Sequence, residues 1–350
     1  MPEEREPTYL AADLFAGIGG IRLGFEGAFN DRIRTVFVCE IDGKAQETYN
    51  ARFHQDHIHG DITTVDIRRV KKFHICLAGF PCQAFSMAGK RGGFEDNHNG
   101  INRGKLFFEV TRICKSKKPM VIFCENVKGL AHHNGGKTLE KMEDELRSID
   151  YVVKSDVLNS KDFGVPHNRE RLYIVAFRKD IDISGFSFPK PLGKETTIGD
   201  ILEKGVVDAK YYLSSRYMNT LRRHKKRQKS RGNGFGYVLR YRHDIAGALV
   251  GGGMGKERNL IIDRKRKTFE PAAGIRGEVN KGQIRRLTPH ECARLQGFPD
   301  DFPLVVADTH LYSQFSNSVT VPVVEAIAEE IKKILDKHLA NGGSIYYKGR

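Results

Sequence analysis

Between Tyr9 and about Lys179 the chain alternates short apolar runs with amphipathic stretches. Runs at Tyr9–Phe15, Thr35–Glu40, Phe73–Ala78, Met120–Glu125 and Leu172–Phe177 predict strands. Helical patterns at Lys44–Phe53, Lys105–Lys115 and Thr138–Ile149 lie between them. Alternation of this kind predicts an α/β domain with a mostly parallel sheet and helices on both faces.

The pattern changes after Lys179. Residues 184–283 hold Pro189 and Pro191, the basic run Leu221–Arg227 and the glycine-rich pieces Gly232–Gly236 and Gly251–Gly255. Gly236–Arg242 alternates like an exposed strand, but most of the region gives no clear period. A second, smaller, irregular and strand-containing domain is expected here. From Thr288 a helix is predicted, with Pro289 at its first position and Glu291 in its first turn. Another amphipathic helix is expected over Val321–His338. The expected division is a discontinuous catalytic domain over 8–183 and 305–340, a second domain over 184–304, and a flexible tail over 341–350.

Composition narrows the function classes. The 350 residues can bury a sizeable core, and 39% hydrophobic with 29% charged residues is an ordinary globular mix. No apolar run reaches the length of a membrane span, and Met1–Glu6 is charged, so a cytoplasmic protein is expected. The six cysteines form no CxxC pair, which suggests neither a zinc site nor a disulfide framework. A net charge of +15 favours a polyanionic partner, with a solvated basic face as the alternative.

Candidate chemistry collects at predicted strand ends. Cys82 follows Gly79-Phe80-Pro81, which ends the third run abruptly and sets a thiol at the carboxyl edge of the sheet. The next run ends in Glu125-Asn126-Val127, so a nucleophile and a carboxylate would share that edge. Asp13-Leu14-Phe15-Ala16-Gly17-Ile18-Gly19-Gly20 is a glycine-rich turn entering a helix, but Arg22 stands where a dinucleotide site has its third glycine. Glu40, at the end of the second run, is placed for ribose hydroxyls. An adenosine cofactor without a phosphate cradle fits both features, and S-adenosylmethionine is the candidate.

With these residues in view the chain resembles the C5-cytosine DNA methyltransferases across nearly all of residues 8–338, except the basic middle region. Asp13–Gly20 is similar to the family's first cofactor motif, and Gly79–Ser86 to its nucleophile motif. Glu125-Asn126-Val127 and Arg169-Glu170-Arg171 resemble its base-binding motifs. Arg286–Pro299 is similar to the motif that organises the target-recognition domain, and Asn317-Ser318-Val319 to the last motif, where the chain returns to the cofactor.

The resemblance implies a Rossmann-like, S-adenosylmethionine-dependent methyltransferase domain beside a target-recognition domain. It implies a catalytic set of Cys82, Glu125, Arg169 and Arg171. Cofactor contacts would come from Phe15, Gly17, Gly19, Gly20, Glu40, Ile41, Asp61, Ile62, Pro81, Leu106, Asn317 and Val319. Asp61 could equally be a helix cap, and Leu106 and Val319 core residues. DNA contacts are expected from Ser86 and Arg91 of the loop after the nucleophile, from Arg222, Arg223, Lys225, Lys226 and Arg227, and from Lys256 and Arg258. Of these, the run Arg222–Arg227 could also be a solvated face.

Two departures from the family pattern stand out. His167 occupies the position where the family usually has Gln, and Glu95–Arg103 is a few residues longer than is common. The expected partner is double-stranded DNA, in functional pairing with a restriction endonuclease. Monomeric action, no metal and the product S-adenosylhomocysteine are also implied. The related transfer-RNA enzymes carry a Cys-Phe-Thr element in the middle region, and residues 180–290 here hold no cysteine. A DNA-binding module without catalysis would have no need of Cys82, Glu125 and Arg171 together.

Overall fold

The structure, a computed structural model, describes residues 8–81, 97–98, 101–102, 106–234, 236–251, 255–269 and 278–347. It divides into two compact units. The first comprises Met1–Asn159, Glu170–Pro191 and Val321–Arg350, and the second Ser160–Arg169 and Leu192–Thr320. The segment 305–320, expected with the catalytic domain, thus groups with the second unit, as does the short excursion Ser160–Arg169.

The first unit is built on a six-stranded sheet in the order β2-β1-β3-β6-β9-β7. These strands are β1 (Tyr9–Leu14), β2 (Ile33–Cys39), β3 (Ile75–Ala78), β6 (Val121–Val127), β7 (Tyr151–Asn159) and β9 (Glu170–Arg178). A two-stranded antiparallel ribbon, β4 (Asn97–His98) and β5 (Ile101–Asn102), lies between β3 and β6 in the chain. The pairs β1–β2, β1–β3 and β3–β6 are parallel, whereas β9 runs against both β6 and β7. Helices α1 (Gly20–Phe29), α2 (Gly43–Phe53), α3 (Leu106–Lys117), α4 (Gly129–His132) and α5 (Lys137–Ser148) connect the strands, and α10 (Val321–Ala340) ends the unit.

Every residue of β3 and all but the last of β6 are buried. Such strands cannot face water, which explains their continuous apolar runs. The buried faces of α3 and α5 meet the sheet through Phe107, Val110, Ile113, Met142 and Leu146. Along α1, Gly24 is packed against α10 so closely that a Cβ would overlap Val324. The bidentate pair Arg32–Asp336, at 2.8–2.9 Å, also fastens α10.

The second unit carries β8 (His167–Asn168), β10 (Leu239–Arg240), β11 (Ala246–Gly247), β12 (Leu260–Ile262) and β13 (Ile284–Arg285), with helices α6 (Ile198–Ile201), α7 (Ser215–Ser230), α8 (Pro289–Leu295) and α9 (Asp308–Asn317). Its strands form a three-stranded sheet, β10-β12-β13, and the pair β11–β8. Thr288 and Glu291 close a capping box on α8, with Pro289 inside its first turn. Glu291 is fully buried and pairs with Arg285 at 2.7 Å, while Arg285 also holds Asp263 at 2.8 Å. Among the described residues no helix is long and apolar enough to cross a membrane.

Candidate active site

The first unit brings its candidate groups to the carboxyl ends of its parallel strands. At the end of β1 the chain turns sharply: Phe15 (φ 56°), Gly17 (φ 54°) and Gly19 (φ 83°) all lie in the left-handed region. For Phe15, a non-glycine residue, that conformation is strained, and strain of this kind collects at functional turns. Gly19 caps α1, and a side chain there would overlap the ring of Phe53. A Cβ at Gly17 would meet nothing within 4 Å, so the backbone there faces open space.

Glu40 closes this turn from the end of β2. Its carboxylate accepts from the Gly17 N–H at 2.7 Å and from the Asp42 N–H at 2.8 Å. Burial raises its pKa, and these amides oppose the shift. Beside it Ile41 is an apolar side chain left 60% exposed, a surface suited to a flat apolar ring.

Asp13, near the end of β1, is buried and receives the Tyr49 hydroxyl on Oδ2 at 3.0 Å. Its Oδ1 has no partner among the described residues, and burial lifts its pKa to about 7. Arg22 is engaged with Glu26 at 2.6 Å and lies 4.1 Å over the Phe53 ring, so its guanidinium is taken up by the protein's own side chains. An open glycine turn, an accepting carboxylate and an exposed apolar side chain fit a nucleoside cofactor that lacks phosphates.

Asp61 caps the short helical turn Ile62–Thr64, accepting from the Thr63 N–H at 2.9 Å and the Thr63 hydroxyl at 2.8 Å. Ile62 and Leu106 are buried in the core cluster of the sheet, and Gly20 is the first residue of α1. Asn317 ends α9 in the second unit, and Val319 is buried just after it.

The candidate nucleophile of the sequence motifs follows β3 in the chain, and the candidate carboxylate belongs to the neighbouring strand β6. Pro81 is half-buried after Phe80, and the Asn126 Nδ2–H donates to the Phe80 carbonyl at 3.0 Å. Asn126, itself buried, thereby ties the exit of β3 to the end of β6. The sequence motif contains this asparagine but gives it no role. The antiparallel register of β6 and β9 sets Val127 opposite Arg171 and Glu125 opposite Tyr173. Arg171 Nε then reaches Glu125 Oε1 at 3.2 Å, both side chains being mostly buried.

The five described cysteines, Cys39, Cys76, Cys114, Cys124 and Cys292, are all buried. Burial pushes the Cys39 thiol up to about 12 and those of Cys76 and Cys124 well above the usual range. Thiols so placed are inert. Cys82, Ser86 and Arg91 lie outside the described residues.

Arg169 falls in the second unit, where it is buried and donates to the carbonyls of Leu249, Ser316 and Ser318. The basic run forms part of α7, with Arg222, Arg223, Lys225, Lys226 and Arg227 exposed. Lys225 Nζ donates to the Tyr237 carbonyl at 3.1 Å. Arg258 is exposed, and the side chain of Lys256 lies outside the described residues. Among the described residues no group of His, Cys, Asp or Glu is placed to hold a metal ion.

A family model described as C-5 cytosine-specific DNA methylase matches residues 9–333. The Type II methyltransferase M.HpaII of Haemophilus parainfluenzae is 49% identical over 340 residues, spanning 96% of this chain and 91% of the relative. M.HhaI of Haemophilus parahaemolyticus is 37% identical over 335 residues, 93% of this chain and 94% of the relative. Among solved structures, the Entamoeba histolytica methyltransferase EhMeth is similar with a TM-score of 0.73 and 19% identity, covering 94% of this chain and 99% of that one. Likeness at that identity bears on the fold alone.

Proposed function

Since the chain belongs to the C-5 cytosine-specific DNA methylases and is a DNA cytosine-5-methyltransferase, we propose that it acts on a flipped-out cytosine through a covalent bond to Cys82. Membership also implies use of S-adenosylmethionine. The cofactor's contribution is a methyl group on a sulfonium sulfur, an electrophile too weak for the unactivated C5 of cytosine.

The protein's task is to activate that carbon. The Cys82 thiolate adds to C6, and the ring's electrons move toward C5 and N3. Glu125 shares a proton with N3 and so stabilises the charge as it develops. Arg171 addresses O2 and, through its pairing at 3.2 Å, fixes the direction of Glu125. C5 then bonds to the methyl carbon as the methyl–sulfonium bond breaks, its electron pair staying on sulfur as the thioether. A base removes the C5 proton, and the electrons of that bond restore C5=C6 as the S–C6 bond breaks to release the thiolate. The carbon is inaccessible inside a duplex, so the nucleotide must leave the stack.

The observation that carries this reading is the Glu125–Arg171 pair on the edge where Asn126 anchors Phe80, two residues before Cys82. Holding the Phe80 carbonyl would limit the directions from which the nucleophile can approach. Phe15, Gly17, Gly19, Gly20, Glu40, Ile41, Asp61, Ile62, Pro81 and Leu106 would hold the cofactor. The part of Asn317 and Val319 rests on the resemblance alone. Ser86, Arg91, the basic face of α7, Lys256 and Arg258 would contact DNA.

Relatedness to Type II methyltransferases supports pairing with a restriction endonuclease; action as a monomer in the cytoplasm rests on the sequence alone. Expression in a host lacking cytosine methylation, followed by mapping of 5-methylcytosine, tests the reading. One short motif should be modified by the wild-type chain and by neither Cys82→Ser nor Glu125→Gln. Unmodified DNA alongside soluble, cofactor-binding protein would refute it.

A further inference from the structure

His167, the departure from the family pattern, lies with Arg169 in a buried arrangement within the second unit. The strand pair β8–β11 sets His167 beside Ala246, and the Ala246 N–H donates to the Pro166 carbonyl at 2.8 Å. Three residues further on, the Leu249 N–H donates to His167 Nε2 at 3.2 Å, which makes that nitrogen the unprotonated one. The carbonyl of the same Leu249 accepts from Arg169 Nη1 at 3.3 Å. Arg169 is itself anchored, since its Nη2 donates to Ser316 O at 2.9 Å and Ser318 O at 2.7 Å.

What is held is the start of a glycine-rich segment. The Asn259 side-chain amide both accepts from the Gly247 N–H and donates to the Gly247 carbonyl, each at 2.8 Å, joining the two ends of that segment. Gly251 lies so close to α9 that a Cβ would overlap the Ser316 hydroxyl. Ser316 cannot turn away freely, because its hydroxyl donates to Ser313 O at 2.8 Å. Near the far end, Glu257 is buried against Arg286 at 2.8 Å, while the neighbouring Arg258 is exposed.

We infer that His167 and Arg169 are positioning residues for target recognition, clamping the amide and carbonyl of Leu249 so that the flanks of the glycine-rich segment meet DNA in one fixed register. The inference rests on the proposal that Lys256 and Arg258 contact DNA. It assigns the Arg169 guanidinium to the protein's own backbone rather than to a phosphate. Histidine serves at position 167 because a neutral ring nitrogen accepts an amide proton, as a glutamine oxygen would.

The test uses the full-length enzyme, a duplex containing its mapped target, and the same duplex with one base pair of the target changed. His167→Leu removes the acceptor and should raise KM for the target roughly tenfold, as expected for a buried amide left unpaired. It should also narrow the preference over the altered duplex. Cofactor affinity, measured by calorimetry without DNA, should stay within about twofold, since the effect stays on the DNA side. His167→Gln should recover most of the loss.

Gly251→Ala, which keeps both clamp residues, should give the same split, relieved by adding Ser316→Gly. Arg169→Gln should weaken DNA binding without changing its salt dependence. A log–log slope lowered by about one would mark a phosphate contact and overturn the assignment. Wild-type DNA kinetics in His167→Leu, or a His167→Gln variant as impaired as His167→Leu, would also overturn it. The underlying proposal is tested separately by Lys256→Ala with Arg258→Ala. If that double variant binds and discriminates normally, both the proposal and the inference fail; if it is impaired while His167→Leu is normal, only the clamp fails.

Discussion

Asp13 offers a prediction whose sign follows from its burial and whose size is set by how far burial raises its pKa. Its carboxyl is wholly buried, and burial raises its pKa from 3.8 to about 7 against the opposing charge of Arg22 and the Tyr49 hydroxyl. The folded protein therefore keeps a proton that the unfolded chain has lost between these two values. Folding takes up that proton, so stability falls as pH rises through the window, by about 1.4 kcal/mol per unit. Between pH 5 and pH 7 the loss from this one group is on the order of 3 kcal/mol.

Asp13→Asn removes the titration. The amide leaves a donor buried, at a cost of about 1–3 kcal/mol, but that cost is the same at both pH values. Subtracting the wild-type change between pH 5 and pH 8 from that of the variant thus isolates the carboxyl. The chain has no tryptophan, so urea unfolding is best followed by circular dichroism, with the cofactor absent. The variant should gain about 3 kcal/mol on the wild type across this interval. Equal pH profiles for the two proteins would refute the reasoning, because a buried carboxyl with this pKa must leave such a difference.

Three further outcomes are expected. Asn126→Ala removes the donor to the Phe80 carbonyl and should lower kcat by about ten- to a hundredfold while KM for the cofactor stays near wild type, measured by steady-state kinetics. Arg285→Met strands the buried carboxylates of Asp263 and Glu291 and should cost about 3–5 kcal/mol in urea unfolding of the second unit; a loss below about 1 kcal/mol would contradict a buried pairing. Replacing Arg222, Arg223 and Lys226 of α7 with glutamine should lower the salt slope of DNA binding by about 0.9 for each phosphate no longer neutralised, and an unchanged slope would make this a solvated face.

The parts of the fold legible in the sequence are those where one local pattern settles the structure. The runs that form β1, β3 and β6 are continuous because those strands are buried, and glycine or acidic residues mark their ends. The strand β7 carries no such signal. It lies at the sheet edge, and its alternation of exposed with half-buried residues over Val152–Val157 includes Lys154, Ser155 and Asp156. The helix α7 is hidden for another reason: of its 16 residues only Met218 and Leu221 are buried, so there is little apolar stripe to see.

At the site, motif positions such as Glu125 and Arg171 are readable from the sequence, while their pairing depends on the register of β6 and β9. The ties from Asn126 to Phe80 and from Arg169 to Leu249 cross 46 and 80 residues of chain, a distance at which no local pattern reports a contact.

The central claim, a covalent bond from Cys82 to cytosine C6, is tested most directly with target duplex carrying 5-fluorocytosine at the methylated position. Fluorine at C5 cannot leave as a proton does, so after methyl transfer the S–C6 bond should persist. Mass spectrometry of the wild-type enzyme with cofactor should find a protein–DNA adduct on the peptide containing Cys82, and none with Cys82→Ser. An adduct on another residue, or methylation of ordinary target DNA by Cys82→Ser at the wild-type rate, would contradict the account.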